Sequence, residues 1–401
     1  MRAALHIEGE VAPGFEGVRD AFAANFDERG DVGASCAVHR DGRTVVDLWG
    51  GMADPETGRP WTRTTTALVY STTKGVTAVC VHLLAERGVL DLDAPVATYW
   101  PEFAAGGKAE ITVADVLSHR SGLPVLDERL DRAALLEGSA VTATLARQAP
   151  LWTPGTAHGY HALTYGWLLG EIVRRASGRR LGAVLTEDIT GTLGLDLWIG
   201  LPADHETDVA PLLDAVPDPG ALDRLADPAA RELATRIAAT ASDPTSLLAR
   251  AASSNGALPT PHAATWNDPA ARRAEIPAAN AVTNARSLAR LYAACIGEVA
   301  GLRLLAPATV ERARTEQVRG PDAVTIAETR FGLGFRLPTP GAPMLGEGSF
   351  GHNGAGGSLG FADVDAGIGF GYVPNQMVAS PTGDPRTAAL IAALREALAR
   401  A

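Results

Sequence analysis

Clustered apolar positions mark β-strands at both ends of the chain. Two β-prone runs, 33–39 and 44–49, flank Asp41-Gly42, and an Asp-Gly pair between such runs predicts a β-hairpin. Towards the C-terminus, three further short apolar runs also predict strands, at 331–335, 358–363 and 368–373.

Apolar residues recur at helical spacing between and beside these runs. The predicted helices cover 15–26, 71–88, 111–119, 167–173, a segment that begins at Asn284, and 385–400. Strands at both ends with helices between them predict an α/β (α+β) fold, in which both chain ends build one antiparallel sheet with flanking helices.

A mostly helical domain is predicted to interrupt this sheet. We place the sheet domain at residues 1–80 and 270–401 and the helical domain at 81–269. Within the helical domain, residues 201–261 are rich in Ala, Asp and Pro. This composition indicates irregular helices, which we interpret as a lid beside the functional site.

A candidate nucleophile lies where the first long predicted helix after the hairpin begins. Ser71 and Lys74 are three residues apart, so their side chains share one face of that helix. A serine hydroxyl needs an adjacent base, and a lysine amine can serve when burial or a nearby cation disfavours its charged form. The helix N-terminus adds unpaired N–H groups that favour negative charge at Ser71.

Lysine is scarce in this chain. Only two of the 35 Lys and Arg residues are lysines, Lys74 and Lys108. Arginine keeps its proton in proteins, whereas the pKa of a lysine can be tuned, so a lysine beside Ser71 fits a base. Chance survival of two lysines under a compositional bias is the alternative explanation.

Composition and charge exclude several classes of function. The chain has 401 residues, 46% of them hydrophobic and 20% charged, which predicts a soluble globular protein. Its net charge of -11 argues against nucleic acid and anionic membranes as partners. The three cysteines, Cys36, Cys80 and Cys295, lack a metal-binding spacing, and no apolar run suggests a membrane span or a signal peptide. We therefore predict a cytoplasmic protein without a metal or other cofactor, and its oligomeric state is left open.

Four motifs occur in an order that resembles a known superfamily. They are Ser71-x-x-Lys74, the run LSHRSGLP at 117–124, Pro154-Gly155-Thr156 ahead of Tyr160, and Gly351-His352-Asn353-Gly354 ahead of a predicted strand pair. Their order resembles that of the class C β-lactamase-like serine hydrolases, which share the penicillin-binding-protein fold. The chain is most similar to the family VIII carboxylesterases, and the resemblance covers roughly residues 10–400.

This resemblance implies roles for individual residues. It makes Ser71 the acylated nucleophile and Lys74 its general base. It makes Tyr160 the residue that passes a proton to the leaving group, provided that cations such as Lys74 lower its pKa. It also places the backbone N–H groups of Ser71 and Ala355 in an oxyanion hole.

The resemblance also implies a substrate-binding strand, with two departures from the usual motifs. His352, Asn353 and Gly354 occupy the position where lactamases carry K-T-G, so the lysine of that motif is replaced by a histidine that is neutral or partly charged near pH 7. The asparagine of the Y-x-N motif is Ala162, and we expect His161 to replace in part the amide that orients the base. Both departures favour uncharged small esters over β-lactams.

Several activities remain open at this point. A carboxylesterase that hydrolyses small-molecule esters is the leading interpretation. The alternatives are acyl transfer to an alcohol or amine, D-amino-acid amidase or peptidase activity, weak β-lactamase activity, and a catalytically silent ligand-binding protein.

A second serine motif must be weighed against Ser71. Gly356-Gly357-Ser358-Leu359-Gly360 matches the G-x-S-x-G nucleophile elbow, which requires a helix after the serine and a later histidine. Here a strand is predicted after Ser358, and His352 is the last histidine of the chain. We therefore favour Ser71 as the nucleophile.

Overall fold

Both chain ends contribute strands to a central antiparallel sheet. The computed structural model describes residues 6–218, 220–378 and 383–400. In these residues the strands are, in chain order, β1 Ile7–Val11, β2 Gly33–Arg40, β3 Arg43–Asp54, β4 Arg59–Pro60, β5 Ala67–Leu68, β6 Leu197–Trp198, β7 Val282–Thr283, β8 Val318–Pro321, β9 Glu328–Phe331, β10 Ser349–Asn353, β11 Leu359–Asp363 and β12 Ile368–Pro374.

Helices fill most of the chain between these groups of strands. Over the same residues the α-helices are α1 Glu16–Glu28, α2 Thr72–Glu86, α3 Val113–Leu117, α4 Arg132–Glu137, α5 Ser139–Arg147, α6 Thr164–Ser177, α7 Leu181–Leu185, α8 Gly191–Leu193, α9 Pro228–Ser242, α10 Leu247–Ser253, α11 Ala263–Trp266, α12 Pro269–Arg273, α13 Ala285–Ile296, α14 Pro307–Arg314 and α15 Pro385–Arg400. Short 3-10 helices occur at Val96–Thr98, Pro101–Gly107 and Ala203–Asp208, and a π-helical turn at Thr186–Thr190. Each predicted helix is confirmed, and α15 has the predicted bounds.

The large sheet joins the two chain ends at its centre. Its strand order is β1-β3-β2-β12-β11-β10, with β4 beside β3. β2 runs antiparallel to β12, with Cys36 opposite Tyr372. This antiparallel sheet, built from both ends and flanked by helices, confirms the predicted fold class.

A tight turn joins β2 to β3. Asp41 and Gly42 both have positive φ, 49° and 76°, and two such residues in a two-residue loop are typical of a type I′ turn. Glycine adopts this conformation without strain, and aspartate tolerates it. The predicted hairpin is confirmed, although β3 continues beyond its predicted end to Asp54.

Helices cover both faces of this sheet. α1 and α15 pack together over one face, where Phe22, Phe370 and Leu390 are buried. Alternate residues of β12 point the other way, towards α13. Gly371 allows this close packing, because a Cβ at that position would lie 2.2 Å from Ala285 O on α13.

One predicted strand is wrong. β9 ends at Phe331, and residues 332–335 form a bend instead of a strand. Gly334 has a φ of +87°, and a Cβ there would lie 2.6 Å from that of Ala78 on α2. Phe335 is buried, with its ring stacked on His82 of α2 and edge-on to Phe350 of β10. A short apolar run has the same pattern in either setting, which explains the error.

Helices make up most of the regular secondary structure in the described part of residues 87–281. Thr112 is the N-cap of α3: its hydroxyl accepts from Asp115 N while the Asp115 carboxylate accepts from Thr112 N, which makes a capping box. β6 lies within this segment and pairs with β7 in a small separate sheet. The division into domains at 1–80 with 270–401 and at 81–269 stays a prediction.

The three cysteines are free and buried. Burial raises the pKa of the Cys36, Cys80 and Cys295 thiols, which makes them poor nucleophiles. Among the described helices, none combines the length and the apolar character that crossing a bilayer requires.

Candidate active site

Ser71 lies at the point where the buried chain turns into α2. Residues 65–84 are buried except for Ser71, which is partly exposed. The preceding Tyr70 has a φ of +44° and packs edge-on against Trp266 in the core. A non-glycine residue in this conformation stores roughly 1–3 kcal/mol of strain. The sharp turn that results leaves Ser71 as the N-cap of α2, as predicted.

The Lys74 amine contacts Ser71, as their spacing predicts. Nζ lies 3.1 Å from Ser71 Oγ and donates to two backbone carbonyls, Ala162 O at 2.7 Å and Ala278 O at 3.0 Å. A neutral amine has two N–H groups and one lone pair, so the two carbonyls use both N–H groups. The lone pair is then left to face the Ser71 hydroxyl, which is the arrangement that a general base needs.

Two effects favour the neutral form of this amine. Lys74 is fully buried, and the loss of water lowers the pKa of its amine well below the ordinary value, while the positive charge of Arg336 lowers it further. Lys108 is also fully buried, but its Nζ donates to three backbone carbonyls, those of Ala105, Ala146 and Gln148. Three acceptors require the three N–H groups of an ammonium, so Lys108 is a structural cation.

Tyr160 lies beside the amine in an aromatic stack. Its backbone N–H donates to Asp322 Oδ1 at 3.0 Å. Its ring is nearly parallel to that of Phe331, with 6.2 Å between the centroids, and Lys74 Nζ lies 4.7 Å from the centroid of the Tyr160 ring. The phenol is thus held within the same group as the predicted nucleophile and base.

The expectation that the pKa of Tyr160 lies below its ordinary value is wrong. Burial raises this pKa to about 12, and the Ser71 hydroxyl and Arg336 only partly oppose the rise. The phenol therefore keeps its proton near neutral pH. A protonated phenol beside a neutral amine suits a proton donor paired with a base.

His161 does not replace the missing amide of the Y-x-N motif. Its Nε2 accepts from the Ser121 hydroxyl at 2.8 Å and from Leu123 N at 3.1 Å, while Nδ1 donates to Gly159 O at 2.6 Å. Nδ1 is thus engaged by the neighbouring Gly159 and Nε2 by the loop after α3, so neither nitrogen is left to bond to Lys74. The expected contact is therefore wrong, and the two backbone carbonyls orient the amine instead.

His352 lies on β10, with its ring near that of Tyr160. Its Nδ1 donates to Asn353 O at 2.7 Å, while its buried Nε2 has no partner in the described residues. Its ring centroid lies 6.0 Å from that of Tyr160. Burial lowers the pKa of His352 well below its ordinary value, and the charge of Arg336 adds to this effect. The imidazole is neutral, as expected.

The turn after β10 packs against the residues on either side of Ser71, namely Val69 and Thr72. Gly354 N donates to Ser358 O at 2.8 Å, and a Cβ on Gly354 would lie 2.2 Å from Val69 O, so only glycine permits this approach. Neither Ser71 N nor Ala355 N has a hydrogen-bond acceptor in the described part of the chain. An oxyanion hole requires two such unpaired N–H groups near the nucleophile.

Ser358 is a structural residue of this turn. Its hydroxyl donates to Val69 O at 2.7 Å and lies 3.0 Å from Thr72 Oγ1. The strand β11 begins at Leu359, so no helix follows this serine. The G-x-S-x-G match therefore lacks the helix that a nucleophile elbow requires. The Ser358 hydroxyl instead links the turn to the residues at the start of α2.

Arg336 is a charged group at this centre that the motifs did not reveal. Its Nη1 donates to Asn353 Oδ1 at 2.8 Å, and its guanidinium carbon lies 5.8 Å from the centroid of the Phe331 ring. It lies between β9 and β10, outside every motif, in a chain where arginine is common. The carbonyls of Ala162 and Ala278 were also missed, because a backbone group leaves no residue-type signal in a sequence.

Comparisons with known proteins agree with this geometry. Residues 19–394 match the family described as Beta-lactamase. The chain belongs to the beta-lactamase family. A relative within it is Esterase/beta-lactamase LipL of Mycobacterium tuberculosis, which is 36% identical over 94% of this chain and 84% of LipL.

Two solved structures are similar over nearly the whole chain. A family VIII carboxylesterase has 38% sequence identity and a TM-score of 0.85, over 98% of this chain and 100% of that one. A penicillin-binding protein homologue from Caulobacter crescentus has 38% identity and a TM-score of 0.83, with the same coverage. These matches confirm the family that the sequence motifs resemble.

This member of the beta-lactamase family also has a groove of about 620 Å³ that does not include Ser71. Trp100, Trp167 and Glu275 line it, and Ser71 does not. Pro277 forms part of its wall and immediately precedes the residue whose carbonyl accepts from the buried amine. The groove therefore lies behind the candidate active site and is separate from it.

Proposed function

We propose that this protein is a serine hydrolase that cleaves small carboxylic esters through an acyl-enzyme on Ser71. The observation that carries the proposal is the buried Lys74 amine, which uses both N–H groups on carbonyls and lies 3.1 Å from Ser71 Oγ. The names of two relatives, an esterase/beta-lactamase and a family VIII carboxylesterase, support this reaction class.

Acylation begins with transfer of the Ser71 hydroxyl proton to Lys74. The Ser71 oxygen attacks the ester carbonyl, and the resulting oxyanion accepts hydrogen bonds from the backbone N–H groups of Ser71 and Ala355. As the tetrahedral intermediate collapses, the carbon–oxygen bond to the alcohol breaks. Tyr160 gives its proton to the departing alcohol oxygen and regains one from Lys74, so the amine is neutral again.

Deacylation repeats these steps with water as the nucleophile. Lys74 takes up the proton of the attacking water, which the Tyr160 hydroxyl relays by accepting one proton and giving its own to the amine, and the same two N–H groups hold the second oxyanion. When this intermediate collapses, the proton returns to Ser71 Oγ. The products are a carboxylic acid and an alcohol, and the enzyme is back in its starting protonation state.

An apolar surface beside Tyr160 supports an ester with an apolar part. Val125, Ala251 and Val324 are buried there, and the partly exposed Tyr160 and Leu247 pack against them. Ala251 and Leu247 belong to α10, within the predicted lid at 201–261. We propose that this segment forms one wall of the substrate site.

Labelling and hydrolysis together test this function. The purified protein should hydrolyse p-nitrophenyl acetate, and a fluorophosphonate probe should modify Ser71. Ser71→Ala should abolish labelling and lower kcat by about 10³-fold or more. Ser358→Ala is the matched control and should keep the label on the Ser71 peptide. Undiminished hydrolysis by Ser71→Ala would end the proposal.

The same acyl-enzyme could serve the other activities left open by the sequence, and product analysis separates them. An alcohol or amine acceptor added to the assay would yield a new ester or amide if the protein is an acyltransferase. Turnover of nitrocefin or of a D-amino-acid anilide would indicate lactamase or amidase activity. Binding without labelling or turnover would indicate a silent ligand-binding protein.

A further inference from the structure

His119 ends the helix α3 in a conformation that favours glycine. It follows the C-cap residue Ser118 and has a φ of 62°. His119 N donates to Val116 O at 3.2 Å. Arg120 N donates to Asp115 O at 2.8 Å, and together these two bonds make a Schellman motif. Glycine is the usual residue at the position of His119 in this motif, because a side chain there is strained. A histidine in its place indicates that the side chain has a use of its own.

The segment that carries Tyr160 has no regular secondary structure to hold its backbone. Residues 157–161 belong to neither a helix nor a strand. The backbone N–H groups of Gly159, Tyr160 and His161 therefore need acceptors from other parts of the chain. The middle one, that of Tyr160, donates to Asp322 Oδ1 at 3.0 Å.

His119 accepts from both N–H groups that flank the one of Tyr160. Gly159 N donates to His119 O at 3.1 Å, and His161 N donates to His119 Nδ1 at 3.2 Å. The buried imidazole also lies beside the phenol ring, with 5.1 Å between the two centroids. One residue thus holds the chain on each side of Tyr160 and packs against its ring.

The hydrogen bond at Nδ1 sets the protonation state of the His119 ring. A ring nitrogen that accepts from a backbone N–H carries no hydrogen, so the hydrogen of the neutral imidazole is on Nε2. Burial lowers the pKa of His119 well below its ordinary value, which agrees with a neutral ring. A charged ring would place a hydrogen on Nδ1, facing another N–H group. His119 therefore holds the segment as a neutral acceptor.

The position of the Tyr160 hydroxyl decides how well it transfers a proton. In the proposed mechanism this hydroxyl gives its proton to the departing alcohol oxygen, which requires the two oxygens to be within hydrogen-bond distance. The phenol ring is rigid, so a shift of the backbone at residues 159–161 moves the hydroxyl as well. A misplacement of about 1 Å can cost roughly a hundredfold in rate.

We propose that His119 is a positioning residue, whose Nδ1 accepts from His161 N–H and thereby places the Tyr160 hydroxyl for proton transfer to the leaving group. This inference rests on the proposed esterase function and adds a residue to its mechanism. It gives a function to the motif at 117–124, which no step of that mechanism otherwise uses.

Two esters with the same acyl group test the inference. The leaving group of p-nitrophenyl butyrate needs no proton, whereas the alcohol of butyl butyrate must be protonated as it departs. His119→Gly permits the same backbone conformation but removes the Nδ1 acceptor. Its kcat/KM should fall roughly tenfold or more for butyl butyrate and less than about threefold for p-nitrophenyl butyrate. A smaller fraction of folded protein would lower both values by the same factor.

Two further substitutions assign the effect to the hydrogen bond. His119→Asn should recover most of the kcat/KM for butyl butyrate, because asparagine also tolerates a positive φ and its Oδ1 can replace Nδ1 as the acceptor. Thr112→Ala is the matched control. It removes the N-cap at the other end of α3 and so destabilises the same helix, but it should keep the wild-type ratio of the two kcat/KM values.

The outcomes separate this inference from the proposed function. If the wild-type protein cleaves neither ester, the esterase proposal itself fails. The inference alone is overturned, and the esterase proposal stands, if folded His119→Gly keeps the wild-type ratio of the two kcat/KM values. It is likewise overturned if His119→Asn is as impaired towards butyl butyrate as His119→Gly, or if Thr112→Ala changes the ratio to the same extent.

Should His119→Gly not fold, nitrogen NMR of the wild-type protein with isotope-labelled histidine decides. The signals of the His119 ring are identified by their absence from the spectrum of His119→Asn. They should show a neutral ring with its hydrogen on Nε2 at neutral pH. A charged ring, or a hydrogen on Nδ1, would leave no acceptor for His161 N–H and would overturn the inference.

Discussion

Replacing Lys74 by methionine separates the chemistry of this site from its packing. Methionine has a similar length but cannot accept a proton, so Ser71 loses the base that lies 3.1 Å from its Oγ. A positioned general base contributes roughly 10²–10⁴-fold to a rate. We therefore expect kcat/KM for p-nitrophenyl acetate to fall by at least about a hundredfold, measured by the release of p-nitrophenolate.

The same substitution should have a smaller effect on stability. Ala162 O and Ala278 O lose the donor that now satisfies them, and each unpaired buried carbonyl costs about 1–3 kcal/mol. Part of this loss is offset, because a buried amine is replaced by an apolar side chain. We expect the free energy of unfolding in urea to fall by about 1–3 kcal/mol.

Lys108→Met is the matched control for Lys74→Met. Lys108 is the only other lysine, it is equally buried, and its three carbonyl acceptors make its loss at least as costly to stability. Its folded fraction should nevertheless keep the wild-type kcat/KM. The reasoning fails if folded Lys74→Met retains more than about a tenth of the wild-type kcat/KM, an effect too small for the loss of a base. It also fails if Lys108→Met loses activity to the same extent.

Three further outcomes are expected. Tyr160→Phe should lower kcat for alkyl esters by roughly 10²-fold or more. The loss should be much smaller for p-nitrophenyl esters, because their leaving group needs no proton. Measuring kcat for a series of esters with different leaving groups tests this difference. Gly354→Ala would place a Cβ 2.2 Å from Val69 O, so the turn must shift, and kcat should fall by about 10²–10³-fold, as when one oxyanion donor is lost. An unchanged kcat would mean that the turn does not form the oxyanion hole. Finally, kcat/KM for an uncharged ester should fall as the pH is lowered through the pKa of Lys74, because an ammonium accepts no proton. This limb of the pH–rate profile should lie well below the pH at which an ordinary lysine titrates.

Local patterns were sufficient for four strands of the large sheet, β2, β3, β11 and β12, and for several of the longer helices. The Asp41-Gly42 turn and the helix α15 follow from turn chemistry and from helical spacing, both of which act within a few residues. Residues 332–335 were assigned wrongly because what covers them is distant in the sequence: Phe335 contacts His82 of α2 and Phe350 of β10. A short apolar run does not reveal which partner will cover it.

The candidate site likewise contains features that local sequence patterns predicted and features that they did not. The contact between Ser71 and Lys74 was predictable because both lie on one helical turn. Arg336 was not, since its place at the centre depends on the pairing of its backbone with β10. His161 was misjudged because its ring nitrogens bond to Gly159 beside it and to Ser121 on a loop that is distant in the sequence. The pKa of Tyr160 was misjudged because burial outweighs the nearby charges.

The contact between the β10–β11 turn and the start of α2 determines when the active site can form during synthesis of the chain. The Thr72 and Ser358 hydroxyls that meet there are 286 residues apart. During translation the nucleophile therefore emerges from the ribosome long before the amide of Ala355 that would complete its oxyanion hole. We expect the nascent chain to remain inert towards esters until β10 to β12 have been made and have joined β2. Contacts of such long sequence separation also slow folding, so the final closure of the sheet is the event that creates an active enzyme.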